Sequence, residues 1–242
     1  MHTIASQGGA TIAHDGKYVY KYGTRVNRSE FEVMKLIAKK TTVPVPAVYD
    51  YEEQGGQGCI KMAFVRGQPL SNTWATMSDE SQQAIITTLK GYIAQWRAIG
   101  RPDTYPMYCN VLGEALSPEV PIPGRNYVGP YANDLTFRQT IGHAYQAAHG
   151  HRRTPQQVTD SLPASTPVLT HSDLVPRNVM VDGETITAII DWEFAAYYPA
   201  YWEYTSAWWG DYVGGGVWDI DSLLDAHTDA LNAINFVRHV LI

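Results

Sequence analysis

Leu169-Thr170-His171-Ser172-Asp173-Leu174-Val175-Pro176-Arg177-Asn178, followed after an Asp182-Gly183 turn by Ile189-Ile190-Asp191-Trp192-Glu193, is the stretch that decides the fold. Its pattern is H-x-D-x-x-x-x-N and then an Asp at the end of a strand. Residues 179–181 and 186–190 read as two β-strands around the Asp-Gly hairpin turn. Antiparallel pairing across that turn brings Asn178, entering the first strand, roughly opposite Asp191, leaving the second. An amide oxygen and a carboxylate then share one open end, with Asp173 on the loop just before them. Hard oxygen donors held in this way suit Mg²⁺, which typically takes one or two protein groups and completes its shell with phosphate oxygens and water. Taken singly, Asp173 reads as a turn-capping residue, Asn178 as a loop residue and Asp191 as a strand-end residue. Their joint spacing is what those readings do not explain.

Upstream, Tyr18-Val19-Tyr20-Lys21-Tyr22 is a β-favouring run closed by Gly23, with Asp15-Gly16 as a turn before it. Ser29 is the candidate N-cap of a helix over 30–40, whose Phe31, Met34 and Ile37 recur at helical spacing and whose basic end is Lys39-Lys40. Pro44 and Pro46 force an extended entry into a strand over 47–51, and a glycine-rich turn leads to the next strand over 59–65. The predicted order is strand, helix, strand, strand. From Arg66 the character changes. A helix opens at Ser78-Asp79-Glu80, carries Ile85, Leu89, Ile93 and Trp96 on one face, and stops by Gly100. Residues 101–132 read as a long Pro/Gly-rich loop, 136–148 as a helix, 149–167 as irregular, and everything after Tyr204 as helix and loop.

The H-x-D-x-x-x-x-N spacing and the later Asp are those of the catalytic loop and metal-binding Asp of kinase-like phosphotransferases. The chain resembles the aminoglycoside phosphotransferase family. The phrases Tyr20-Lys21-Tyr22-Gly23, Val43-Pro44-Val45-Pro46, Gly67-Gln68-Pro69-Leu70 and Tyr201-Trp202-Glu203-Tyr204 look most like its fungal branch. The resemblance spans about residues 15 to 210. It implies an α+β, bilobal protein-kinase-like fold: a small β-rich nucleotide-binding lobe over 1–65 and a larger, mainly helical catalytic and acceptor-binding lobe over 66–242. It also implies ATP and Mg²⁺ as cofactors and a hydroxyl group of a small molecule as acceptor. Asp173 becomes the group that receives the acceptor proton, Asn178 and Asp191 the metal ligands, and Lys21 the lysine that grips the nucleotide phosphates.

Two carboxylates on the following helix, Glu30 and Glu32, compete to pair with Lys21, and Glu30 fits the family's placement better. A Glu in a first helical turn is also ordinary dipole compensation, and a lysine in such a strand can equally face solvent. Met62 and Phe64 are the candidate nucleotide contacts of the segment that passes between lobes, where main-chain groups meet the adenine edge. His171 reads as a loop-bracing residue. Arg177 reads equally as a loop brace or a phosphate contact. The sequence also departs from the protein-kinase pattern. It has no G-x-G-x-x-G, leaving Ser6-Gln7-Gly8-Gly9 or Asp15-Gly16 to cover phosphates through backbone N–H groups. Asp191 is followed by Trp-Glu and not Phe-Gly, no Ala-Pro-Glu follows, and Ser172 stands where a glycine is usual. The absence of a regulated activation segment favours a small-molecule acceptor over a protein.

Composition narrows the classes further. The chain has 242 residues, a formal charge of −6, 45% hydrophobic and 17% charged residues. It carries no basic stripe for nucleic acid, and no apolar stretch of membrane-spanning length. Two cysteines without CxxC spacing do not make a disulfide scaffold. A cytoplasmic protein follows as the expectation, with neither nucleic acid nor membrane as partner. Zinc through His149 and His151 lacks further ligands nearby. Seven Trp and sixteen Tyr against five Phe, crowded between Trp192 and Trp218, read as a helical core packed with large rings. Glu193, Glu203, Asp211, Asp219 and Asp221 make the C-terminal half acidic, either a draw for a cationic acceptor or a solvated helical face. Two other functions stay open: a kinase-like binding protein that transfers nothing, and a kinase fold repurposed for another reaction.

Overall fold

In a computed structural model, residues 2–117, 129–147, 151–214 and 218–238 are described. The chain packs as two compact units, Met1–Trp96 with Val175–Glu193, and Arg97–Leu174 with Phe194–Ile242. In chain order the elements begin β1 His2–Gln7, β2 Ala10–His14, β3 Tyr18–Gly23, α1 Arg28–Lys40, β4 Val48–Gln54, β5 Gln57–Ala63, the short β6 Gln68–Pro69, and α2 Asp79–Arg97. Next come α3 Asp134–Ala147, α4 Pro155–Ser161 and β7 Pro167–Thr170, then the hairpin of β8 Val179–Asp182 and β9 Thr185–Ile189. The chain closes with β10 Ala196–Pro199, α5 Trp202–Gly214, α6 Ile220–Leu223 and α7 Thr228–Arg238. Among the described residues no helix is long and apolar enough to cross a membrane.

The first unit is built on an antiparallel sheet of order β1-β2-β3-β5-β4. Alternation in β3 turns Val19 and Lys21 to the buried face and leaves Tyr18, Tyr20 and Tyr22 half-buried on the other. Lys21 lies between Ile12 of β2 and Ile60 of β5 in the register. The β8–β9 hairpin belongs to this unit by direct ties. The Ile189 amide donates to the Pro44 carbonyl at 2.8 Å, Trp192 packs edge-on against Trp96 of α2 with ring centroids 5.4 Å apart, and Ser81 donates to Glu184.

Two strands precede the run expected to be first. β1 and β2 join through Gly8-Gly9, whose φ angles of +57° and +87° make the two-residue turn that suits a hairpin. The Gly-Gly pair is their signal in the sequence; the strands themselves are short and rich in polar residues, β1 exposed along residues 2–6 and β2 mostly half-buried, with no apolar alternation to mark them. Gly23, at the end of β3, has φ of +143°, and a Cβ there would stand 2.1 Å from the Gly9 carbonyl oxygen. Gly23→Ala is therefore expected to cost about 1–3 kcal/mol from backbone strain alone, visible as a lowered denaturation midpoint; an unchanged midpoint would contradict this close approach.

The cap of α1 is Asn27 and not Ser29: its Oδ1 accepts the Glu30 amide at 3.1 Å, so the helix starts two residues early. Asn and Ser are equally good caps, and only chain direction before the helix separates them. Within 149–167, expected to be irregular, α4 forms on a Thr154–Gln157 capping box with Pro155 at its first position. Its seven residues, about two turns, hold too few apolar positions to show a period. His149 lies outside the described residues, as does 118–128 of the expected loop; Tyr108, before that stretch, bridges to Tyr131, after it.

The core of the second unit is aromatic, as the crowding of large rings leads one to expect. Phe137 of α3 meets Tyr108, Tyr131 and Trp202 edge-on, and Tyr198 stacks on Trp202 at 5.0 Å. Tyr145, Tyr201 and residues of α7 complete the cluster. Edge-to-face rings contribute about 0.5–1.5 kcal/mol per pair beyond their burial.

Candidate active site

The strand face that buries Lys21 also creates its need for counter-charges. The Lys21 side chain is only 7% exposed, and its Nζ donates at 2.7 Å to Glu30 Oε1 and at 2.7 Å to Asp191 Oδ1. A third carboxylate, Glu193, reaches it at 3.4 Å. Glu30 is thus the helical carboxylate that meets Lys21; Glu32 faces outward to Lys35 at 3.2 Å and Arg28 at 3.9 Å. The two cannot share one helical face because they sit two residues apart. Lys17 is exposed and lies over the Tyr18 ring.

Burial alone would push the Lys21 ammonium down, but Glu30, Asp191 and Glu193 together hold it well above its ordinary value. Burial pushes the Glu30 carboxyl up to about 7, with Lys21 pulling against it. Its second oxygen has no hydrogen-bond partner among the described residues. Burial raises Glu193 as well, against Lys21 and with the Asp191 charge.

A carboxyl raised on folding holds a proton that the unfolded chain has already released, so its contribution to stability declines as pH rises from about 4.5 through about 7. Glu30→Gln is expected to flatten that part of the profile, measured as midpoint against pH; an identical slope in both proteins would refute the assignment to Glu30.

The hairpin brings Asn178 and Asp191 to one end, through chain geometry. Val179 pairs with Ile189, and the Ile190 amide donates to the Asn178 carbonyl at 2.9 Å, one residue before Asp191. Asn178 is buried, on the 3₁₀ turn Pro176–Asn178, while the Asp191 side chain remains 35% exposed. Asp191 has φ of +64°, a left-handed conformation that Asp tolerates better than most residues. An amide oxygen and a carboxylate are the hard donors Mg²⁺ takes, and so this pair fits the ion. Among the described residues no group of three or more His, Cys, Asp or Glu gathers as a metal cluster.

In the second unit, β7 delivers the loop that carries Asp173. β7 pairs with β10, and α5 follows directly, so the first turn of α5 lies under this loop. Glu203 there is fully buried; its Oε2 accepts the His171 amide at 2.7 Å and its Oε1 the Ser172 amide at 2.9 Å. Ser172 stands at φ +69°, where a residue with a Cβ costs about 1–2 kcal/mol relative to glycine. Glu203 and the Thr170 hydroxyl, 2.8 Å from Ser172 Oγ, offset that cost. His171 is buried, and its Nδ1 accepts the Asp173 amide at 3.3 Å.

Met62 is buried on the same sheet face as Lys21, paired with Val19 and Val48. Phe64, just beyond β5, is 57% exposed, its ring 6.4 Å from that of His14. Three charged residues that sequence reasoning did not place emerge here: Arg25, Glu193 and Glu203. The last two belong to the acidic C-terminal half of the sequence. Neither is a solvated face, since Glu193 holds Lys21 and Arg25 and Glu203 holds the loop. Asp219 caps α6 and Asp221 accepts from Tyr204; the Asp211 side chain lies outside the described residues. No sequence pattern separates a solvated acidic residue from one buried under a loop.

The sequence profile of the phosphotransferase enzyme family (APH) matches residues 22–233. No curated protein matches the chain. Among solved structures, the chain is similar to the streptomycin–ATP ternary complex of APH(2")-IIa at a TM-score of 0.61, with 13% identity over 99% of this chain and 90% of that one. An aminoglycoside-3'-phosphotransferase of type VIII gives 0.60, with 13% identity over 98% and 90%. A choline/ethanolamine kinase family protein from Mesorhizobium loti gives 0.55, with 12% identity over 98% and 75%. At such identity these likenesses speak to fold, and the fold is the kinase-like α+β fold of those enzymes.

Proposed function

On the premise that this chain belongs to the phosphotransferase enzyme family, we propose that it transfers the γ-phosphoryl group of ATP to a hydroxyl of a small molecule in the cytoplasm. The observation that carries this reading is the buried Lys21 ammonium gripped at 2.7 Å by both Glu30 and Asp191. A lysine so pre-oriented on a strand and paired to a helix carboxylate is the phosphate-gripping device of kinase-like enzymes. In this proposal residues 1–65 serve the nucleotide, with Met62 and Phe64 beside the base, and 66–242 carry the catalytic and acceptor functions.

Lys21 neutralises phosphate charge. Asn178 and Asp191 would hold Mg²⁺, which when bound supplies further neutralisation of the phosphate oxygens. Asp173 orients the acceptor hydroxyl and accepts its proton as the new P–O bond forms and the bond to the departing ADP oxygen breaks. The loop under Asp173 is already fixed by Glu203, so little reorganisation is needed at the moment of transfer. The solved relatives that carry streptomycin or belong to a choline/ethanolamine kinase family suggest hydroxylated amines as the first acceptors to try.

The test is thermal denaturation with ATP and Mg²⁺, followed by product mass with aminoglycosides, choline and ethanolamine. Nucleotide at ~100 times its dissociation constant should stabilise the fold by ~2.7 kcal/mol, and a product should gain one phosphate. Stabilisation with no mass change over a broad panel of alcohols would instead favour a binding protein, and an isomerised or dehydrated product a repurposed fold.

A further inference from the structure

The charged cluster does not end at Lys21. Glu193 shares its carboxylate, Oε2 facing Lys21 at 3.4 Å and Oε1 accepting from Arg25 Nη2 at 2.5 Å. The other branch of the Arg25 guanidinium donates from Nη1 to the Gly8 carbonyl at 3.2 Å. The Arg25 backbone amide adds a bond to the Gly9 carbonyl at 3.4 Å. A continuous line of hydrogen bonds therefore runs from the Gly8-Gly9 turn, through one arginine and one shared carboxylate, to the lysine cluster.

Sterics show that the turn is shaped around this arginine. A Cβ on Gly8 would lie 2.5 Å from Arg25 Nη1, and one on Gly9 3.3 Å from Arg25 Cγ. Gly23 completes the fit by letting the Gly9 carbonyl approach β3. Successive N–H groups in so tight a turn form an anion-binding concavity.

We propose that Arg25 is a positioning residue for the nucleotide, locking the Ser6-Gln7-Gly8-Gly9 turn to the Lys21 cluster through Glu193 so that the turn covers the phosphates. The inference rests on the phosphotransferase reading. Two consequences follow from charge and shape. Three carboxylates surround Lys21, and each competes with an arriving phosphate for its ammonium; Arg25 engages Glu193 and removes one competitor. The guanidinium also supplies two donors in a fixed fork, one for the carboxylate and one for the turn. A lysine replaces only the charge.

The deciding experiment compares wild type, Arg25→Ala and Arg25→Lys by calorimetric titration with ATP·Mg²⁺ and, separately, with adenosine. Amide hydrogen exchange across residues 5–10 is followed in the nucleotide-free proteins. Both variants are expected to bind ATP·Mg²⁺ about tenfold more weakly, to bind adenosine within about twofold of wild type, and to exchange faster at the turn. Should Arg25→Ala fail to fold, Arg25→Lys keeps the charge and gives the same readouts. Unchanged ATP·Mg²⁺ affinity, an equal loss for adenosine, or unchanged exchange each overturns the role of Arg25 while leaving the phosphotransferase reading in place. A wild-type protein that binds no ATP·Mg²⁺ overturns that reading and this inference with it.

Discussion

Asp191→Ala and Asp173→Ala are each expected to abolish phosphoryl transfer, with losses of about 10²–10⁴-fold or more in kcat, while leaving a folded protein. The folded state survives because neither side chain is a keystone of packing. Lys21 keeps Glu30 and Glu193 when Asp191 is removed, and the Asp173 loop keeps Glu203. Asp191 also sits at φ +64°, where alanine is less comfortable than Asp, so Asp191→Asn is the better-matched control: it preserves shape and backbone preference and removes only charge. Turnover and midpoint are measured together. Near-normal turnover by either purified alanine variant would sink the proposed roles, and a retained midpoint with lost turnover would separate chemistry from folding.

The second large effect is on stability. Glu203→Ala removes the acceptor for two buried backbone N–H groups, those of His171 and Ser172. Each such donor left unsatisfied costs about 1–3 kcal/mol, and hence the pair about 2–6 kcal/mol. For a chain of this size that is a fall in midpoint of roughly 5–20 °C. The left-handed Ser172 loses a bond that helps hold it, so Asp173 on the next residue also loses its fixed position, and kcat should fall with stability. Glu203→Gln keeps one oxygen acceptor and turns its amide nitrogen toward the other N–H, so its loss should be intermediate. An alanine variant within about 0.5 kcal/mol of wild type, the range of ordinary surface substitutions, would show that the carboxylate does not brace the loop.

Much of the architecture was legible because it repeats at short range. The Asp182-Gly183 turn and its flanking apolar residues define a hairpin locally, and its register follows by counting to Asn178 and Asp191. The helix of Ile85, Leu89, Ile93 and Trp96 is a pattern of the same kind. The family itself was legible from phrases that no single element contains. Less visible were the elements whose signal is polar: β1 and β2, marked only by Gly8-Gly9, and α4, marked by Thr154-Pro155 and Gln157 without an apolar period. The α1 cap lies two residues before the expected one because Asn27 and Ser29 are chemically equivalent candidates.

The sequence by itself determined the fold family and the hairpin that sets Asn178 beside the start of Asp191, since both depend on spacing along one short stretch. Only the tertiary structure decided between Glu30 and Glu32, and only it made Glu193 a carboxylate shared by Lys21 and Arg25 and Glu203 the brace of the Asp173 loop. The physical reason is that a charge has no period. Whether it is solvated or buried against a partner depends on which residue stands across from it, here 172 positions away for Lys21 and Glu193 and 31 for Ser172 and Glu203. That distance is closed only when the chain folds.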